Sequence, residues 1–189
     1  MRAVEQTPSI AKLSSAHLLH SVAHRLEFRS GLLVPEACVS YVNGYHEYGG
    51  GRHGYELQGE YLADLMWVTK SNYATEFEVK ISRSDWKADN DKDKWGFLPP
   101  WITRFIYVVP VELGIPDFVP PFAGVWHWQS EPYSYGHITV ARAPRKIGQT
   151  KVPQEVREKW LYHLHCRFWN QKLYVDRRLP RFKAATIEV

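Results

Sequence analysis

Three residues at short spacing carry the chemistry legible in this chain. Asp64 is the one charged position in the apolar run Tyr61-Leu62-Ala63-Asp64-Leu65-Met66-Trp67-Val68, and Glu78 and Lys80 alternate with Phe77, Val79 and Ile81 a few residues later. A carboxylate set into an apolar strand is costly unless a cation or hydrogen-bond donors meet it. The two runs, Glu60 to Thr69 and Tyr73 to Ser82, read as strands, and Lys70-Ser71-Asn72 between them suits a hairpin turn. An odd, three-residue turn pairs positions whose numbers sum to 142, which sets Asp64 opposite Glu78. Side chains so opposed lie ~4.5–5.5 Å apart at Cβ, where two like charges repel. A divalent cation resolves that conflict, and oxygen ligands in partial supply, with water completing the shell, favour Mg²⁺ or Mn²⁺ over zinc. Lys80 shares the Glu78 face, within reach of a phosphate oxygen or a water beside the ion. The chemistry this implies is phosphodiester hydrolysis, with the ion neutralising phosphate and activating water, and the lysine orienting that water or stabilising charge.

The elements that must hold these residues follow from periodicity. Apolar positions Leu13, Leu18, Leu19, Val22 and Leu26 predict an amphipathic helix within Ile10 to Phe28. Leu32 to Val42 reads as a strand, and the segment holding Gly44, Gly49, Gly50, Gly51 and Gly54 as a flexible connection, since no Gly-Lys-Ser/Thr follows it. After the hairpin, whose second strand alternates like a half-exposed one, Ser84 is the expected N-cap of a helix from Asp85 to about Trp95. Strands are expected at Ile102 to Val109, Ala123 to Gln129 and Gly136 to Arg142, the first two separated by a Pro-rich connection at Pro110 to Pro121. Pro153 opens a last helix to Lys172 with Val156, Trp160, Leu164 and Phe168 on one stripe. This order describes an α/β fold with a central mixed β-sheet flanked by helices.

Length and charge bound the rest. The 189 residues suit a single domain, with a core over about 10–143 and a basic C-terminal helical extension over about 150–189. No apolar stretch reaches the ~18–20 residues of a spanning helix, and the first residues lack a signal-peptide core, so a soluble cytoplasmic protein with no membrane partner is expected. Cys38 and Cys166 are too few for a disulfide scaffold. Arg142 to Val189 holds 12 Lys and Arg against 4 Asp and Glu, whereas the preceding residues hold 12 against 16. That asymmetry points to an anionic partner. Arg145, Lys146, Lys151, Arg177, Arg178 and Arg181, interleaved with Trp160, Tyr162, Phe168, Trp169 and Tyr174, suit DNA, with RNA the other choice. Homo-oligomerisation stays open. Other constellations fail on their chemistry. His20 and His24 lack a third metal ligand, His163, His165 and Cys166 lack a fourth, and a calcium loop begun at Asp89 would put Lys94 where the turn needs Gly and Pro100 where it needs Glu.

Asp64, a 13-residue spacer and Glu78-Val79-Lys80 resemble the PD-(D/E)XK nuclease signature, with Ala63 where the name has proline. The continuation Glu78-Val79-Lys80-Ile81-Ser82-Arg83-Ser84-Asp85-Trp86, then Asp93-Lys94-Trp95 and a strand ending Tyr107-Val108-Val109-Pro110, is similar to the MmcB-type DNA-repair branch over roughly residues 33–143. The resemblance implies a restriction-endonuclease-like core and a Mg²⁺-dependent deoxyribonuclease. In it Asp64 and Glu78 bind metal, the Val79 carbonyl adds a ligand and Lys80 is catalytic. It also matches Glu36 to an acidic position on the first strand, an outer-ligand candidate, although the Gly-rich insertion before Asp64 departs from compact relatives. Asp85 and Lys94 would then support the site, and Lys87 and Lys92 would touch phosphate. The expected function is a metal-dependent nuclease in DNA repair or nucleic-acid processing. The alternative is a DNA-binding accessory that keeps the fold without cutting, and a weaker third is an interaction protein using its eight tryptophans.

Overall fold

The computed structural model describes residues 13–48, 52–90, 98–131 and 135–176, with side chains described outside 41–58, 89–90 and 176. The chain divides into two compact units, Met1–Val152 and Pro153–Val189.

In the first unit, helix α1 (Ser15–Arg25) leads into β1 (Gly31–Tyr48), β2 (Arg52–Thr69) and β3 (Ala74–Val79), followed by helix α2 (Arg83–Asn90), β4 (Ile102–Pro110), β5 (Gly124–Gln129) and β6 (His137–Arg142). The six strands form one sheet in chain order. β1, β2 and β3 are an antiparallel meander, β4 joins β3 in parallel after α2, β5 joins β4 in parallel after a 3-10 turn at Val111–Leu113, and β6 closes the sheet as an antiparallel neighbour of β5. This is an α/β fold with a mixed sheet, as the pattern of elements predicts.

Each face of the sheet carries its own core. On one, Leu18 and Val22 of α1 pack with Leu65, Phe77, Val79, Ile106, Val108 and Trp126. On the other, Trp86 of α2 packs with Phe105, Tyr107, Val109, Val119 and Val125. Covering both faces makes β3 an interior strand, buried at all six positions. The alternation of Glu76 and Glu78 with Phe77 and Val79 therefore does not mark a half-exposed strand: Glu76, Glu78 and Lys80 are 0%, 7% and 4% exposed.

Two further expectations are corrected. The glycines at 44 and 54 lie on strands, because β1 and β2 continue as a paired hairpin past Tyr41↔Gly59 to Tyr48↔Arg52; mutual backbone pairing sustains the ladder where side-chain alternation fails. Gly49, Gly50 and Gly51 lie outside the described residues. Helix α2 starts two residues early, with Ser82 in place of Ser84 as its cap: the Asp85 N–H donates to Ser82 Oγ at 3.2 Å and the Trp86 N–H to the Ser82 carbonyl at 3.1 Å. The end expected for this helix, Trp95, is outside the described residues. α1 is capped by Ser14, whose N–H donates to His17 Nδ1 at 3.2 Å.

The second unit contains helix α3 (Gln154–Asp176). Phe168, placed on its apolar stripe by spacing, is 58% exposed, as are Tyr162, Trp169, Leu173 and Tyr174 to similar degrees. None of the described helices is long and apolar enough to cross a membrane.

Candidate active site

The hairpin carries the site. Thr69 and Tyr73 close it, the Thr69 N–H donating to the Tyr73 carbonyl at 2.9 Å and the Asn72 N–H to the Thr69 carbonyl at 2.9 Å, so the turn is the three-residue Lys70-Ser71-Asn72. Asn72 adopts φ of +65°, the left-handed conformation that asparagine tolerates and this loop length requires. The register follows: Leu65↔Phe77, Met66↔Glu76, Trp67↔Thr75 and Val68↔Ala74. Continued by one residue, it brings Asp64 level with Glu78. β1 extends the row, because Pro35↔Leu65 and Ala37↔Ala63 leave Glu36 across from Asp64. By continued Cα register, Glu36, Asp64 and Glu78 thus fall in one row of positions over three adjacent strands, Glu36 exposed, Asp64 half-buried and Glu78 buried.

At Glu36 the backbone takes φ of +50°, rare for a residue with a β-carbon. The buried positions of β1 are Val34, Ala37 and Val39, so the period of two slips by one residue at this point. Tyr61 of β2, the partner of Val39, reaches Glu76 of β3. Its hydroxyl donates to Glu76 Oε2 at 2.6 Å. Burial, then the charge of Glu76, then the hydrogen bond to it and the charge of Glu78 hold the Tyr61 phenol far above the usual tyrosine range.

The side chains of the predicted site are arranged as follows. Glu78 Oε1 accepts from Lys80 Nζ at 2.8 Å, an ion pair with side chains 10% and 5% exposed. Asp85, at the start of α2, places Oδ1 3.9 Å from the same Nζ. Asp64 is half-buried and its Oδ2 accepts the Val79 N–H at 2.7 Å. That bond replaces the ladder where β2 and β3 stop pairing, and it ties Asp64 to the residue between Glu78 and Lys80. The structure therefore brings Glu78, Lys80 and Asp85 together and places Asp64 on the neighbouring strand β2, bound to the Val79 N–H. Among the described residues no group of three His, Cys, Asp or Glu converges as a metal would need if the protein supplied three such ligands. Magnesium does not need that many: it is commonly held by one or two carboxylates, with water and substrate phosphate completing an octahedron. The hard oxygen donors of Asp64, Glu78 and the Val79 carbonyl fit that ion by type.

The basic residues are dispersed. Lys87 is exposed on α2, and Arg145, Lys146 and Lys151 are exposed after β6. Lys146 Nζ lies 5.9 Å from the Tyr73 ring centroid. Arg142, counted with the basic tail, is a structural tie: Nε donates to the Ala123 carbonyl at 2.8 Å and Nη2 to the Pro120 carbonyl at 2.9 Å. Lys92, Lys94, Arg177, Arg178 and Arg181 lie outside the described residues. Sequence reasoning passed over Glu76 and Tyr61. Glu76 shares its face with Glu78 and, by the same register, meets Met66, an apolar neighbour that marks it as buried; Tyr61 is its hydrogen-bond partner from β2.

No family model matches the chain, and no curated protein matches it. Among solved structures it is similar to the SPO1766 protein of unknown function from Silicibacter pomeroyi, at 18% identity and a TM-score of 0.53, over 91% of this chain and 99% of that one. At such identity the likeness is one of fold, an α/β sheet flanked by helices.

Proposed function

We propose that the protein is a Mg²⁺-dependent nuclease of the PD-(D/E)XK type, with a restriction-endonuclease-like core closest to the MmcB-type branch, hydrolysing phosphodiester bonds in DNA in a repair or processing role. The observation that carries this reading is the buried pair at the end of β3, Lys80 Nζ 2.8 Å from Glu78, with Asp64 of β2 bound to the N–H of Val79 between them. A bound Mg²⁺ would supply charge neutralisation of the phosphate and a lowered pKa for water. Asp64 and Glu78, with the Val79 carbonyl, would hold it, and Glu36 would act through water. Asp64, fixed on the Val79 N–H, is held in place before any substrate arrives. Lys80, paired with Glu78 and near Asp85, would present its ammonium to a phosphate oxygen, and its movement from Glu78 toward that oxygen would release the carboxylate. Asp85 steadies the ammonium from α2.

The test is cleavage of a labelled DNA mixture by purified protein with Mg²⁺ or Mn²⁺ and with chelator. Cleavage should require the metal and fall at least 100-fold in Glu78→Gln and Lys80→Gln, while both variants keep the circular-dichroism spectrum of the parent. Unchanged cleavage in both well-folded variants would reject the assignment. A second reading, a DNA-binding accessory that does not cut, draws on the exposed bases and aromatics of α3; metal-independent DNA binding with no cleavage under any condition would favour it.

A further inference from the structure

Beside the carboxylate row lies a cleft of about 430 Å³ between α2 and the chain after the 3-10 turn. Its polar rim is Arg83 and Lys87, one helical turn apart and both exposed, and neither has an acidic partner among the described residues. Its wall is Ile115, Pro116 and Phe118, with Trp86 at the base. Trp86 is fully buried, fixed edge-on to Phe118 at 6.1 Å and tilted on Tyr107 at 5.4 Å. Among the described residues its indole Nε1–H has no hydrogen-bond partner, as is also true of Trp67 and Trp126. The location is specific: Asp85, the residue before Trp86, is the one that approaches Lys80 Nζ at 3.9 Å.

We infer that this cleft holds one unstacked nucleotide of a nucleic-acid strand next to the site of cleavage, with its phosphate on Arg83 and Lys87 and its base against Ile115, Pro116 and Phe118. The inference rests on the nuclease reading for its substrate class and adds that the strand is single, or unpaired at that position. Two cations on one side suit phosphate. A flat apolar wall suits a base face, which every base has and which is covered in an intact duplex. The volume lies in the ~300–1,000 Å³ range of small-molecule sites.

The experiment measures fluorescence anisotropy of the full chain with a labelled single-stranded oligonucleotide and with the blunt duplex of the same sequence, in chelator so that nothing is cut. Single strand should bind at least tenfold more tightly than duplex. The double variant Arg83→Glu/Lys87→Glu and, separately, Ile115→Trp should reduce that preference to under twofold. All three positions changed in the cleft are exposed, and unchanged thermal melting of each variant checks its fold; should Ile115→Trp unfold, the charge reversal alone decides. Equal affinity for the two substrates in the parent protein, or a preference that survives the cleft variants, overturns the inference. Metal-dependent cleavage without strand preference would overturn it alone, and no binding to either substrate would overturn the nuclease reading with it.

Discussion

Lys80 and Glu78 illustrate how a buried ion pair ties chemistry to stability. Their Nζ and Oε1 are 2.8 Å apart with side chains almost wholly buried, so removing one partner leaves an uncompensated charge in a place water reaches poorly. Breaking such a pair costs about 3–5 kcal/mol, whereas replacing both partners together is often close to neutral. Lys80→Met alone should therefore lower stability in urea denaturation more than Lys80→Met combined with Glu78→Gln, which would recover most of the loss while remaining inactive. Equal losses in the single and double variants would mean that the pair contributes nothing specific. Tyr61 gives a second prediction at this scale, through pH. Its phenol is raised far above the unfolded value of ~10, so above that pH the folded state keeps a proton that the unfolded chain releases. Stability from this group is complete below pH ~10 and falls as pH rises, with a slope of up to about 1.4 kcal/mol per pH unit for one proton. Tyr61→Phe should be less stable than the parent by about 1.5–3 kcal/mol at pH 8, having lost a hydrogen bond to a charged acceptor. It should also show a shallower decline between pH 9 and 11, measured as urea midpoints. An unchanged slope would place the phenol in a less restrictive environment than its contact with Glu76 implies.

At the scale of elements, the pairing of β2 with β3 is where local rules and tertiary packing meet. The Asp64 carboxylate ends that ladder by taking the Val79 N–H. Asp64→Ala should leave this amide without its acceptor, at a cost of about 1–3 kcal/mol, while Asp64→Asn keeps an oxygen in place and loses less. Amide hydrogen exchange at Val79 reads the difference directly, and exchange equal to the parent's in both variants would show that the bond does not hold the strand end. This register was legible in the sequence because a turn of known length fixes the pairing, and a residue suited to φ of +65°, Asn72, closes it. The helices and the order of strands were legible for a similar reason: apolar periodicity is a local signal that survives without knowledge of neighbours. What was hidden depends on neighbours. β3 alternates like a half-exposed strand, yet α1 and α2 cover both its faces, and nothing within 74–82 announces that second cover. The long β1–β2 hairpin was missed because glycines and polar residues interrupt the alternation that signals a strand, while backbone pairing needs no side chains. The slip at Glu36 is invisible for the opposite reason: it is a backbone event, φ of +50°, at an ordinary glutamate, and the contact of Tyr61 with Glu76 joins residues that no local pattern links.

At the scale of the whole chain, charge is divided between the two units in a way that can be measured without knowing the reaction. The carboxylate row belongs to residues 1–152, and α3 of the second unit exposes Arg157, Lys159, Arg167 and Lys172 together with Tyr162, Phe168, Trp169 and Tyr174. Cations that meet phosphates release condensed counterions, so the logarithm of affinity falls linearly with that of salt by about 0.9 per phosphate on a duplex and about 0.7 on a single strand. Aromatic faces add affinity that salt hardly touches, because stacking releases no ions. The two contributions are therefore separable. Replacing Arg157, Lys159, Arg167 and Lys172 by Gln should reduce the salt slope by up to about 3 on single strands. Replacing Phe168 and Trp169 by Ala should weaken binding at every salt concentration and leave the slope unchanged. Anisotropy titrations between 50 and 300 mM salt distinguish these outcomes, and a slope that none of the six substitutions alters would assign phosphate contact to the first unit instead, where Arg83, Lys87, Arg145, Lys146 and Lys151 are among the exposed cations.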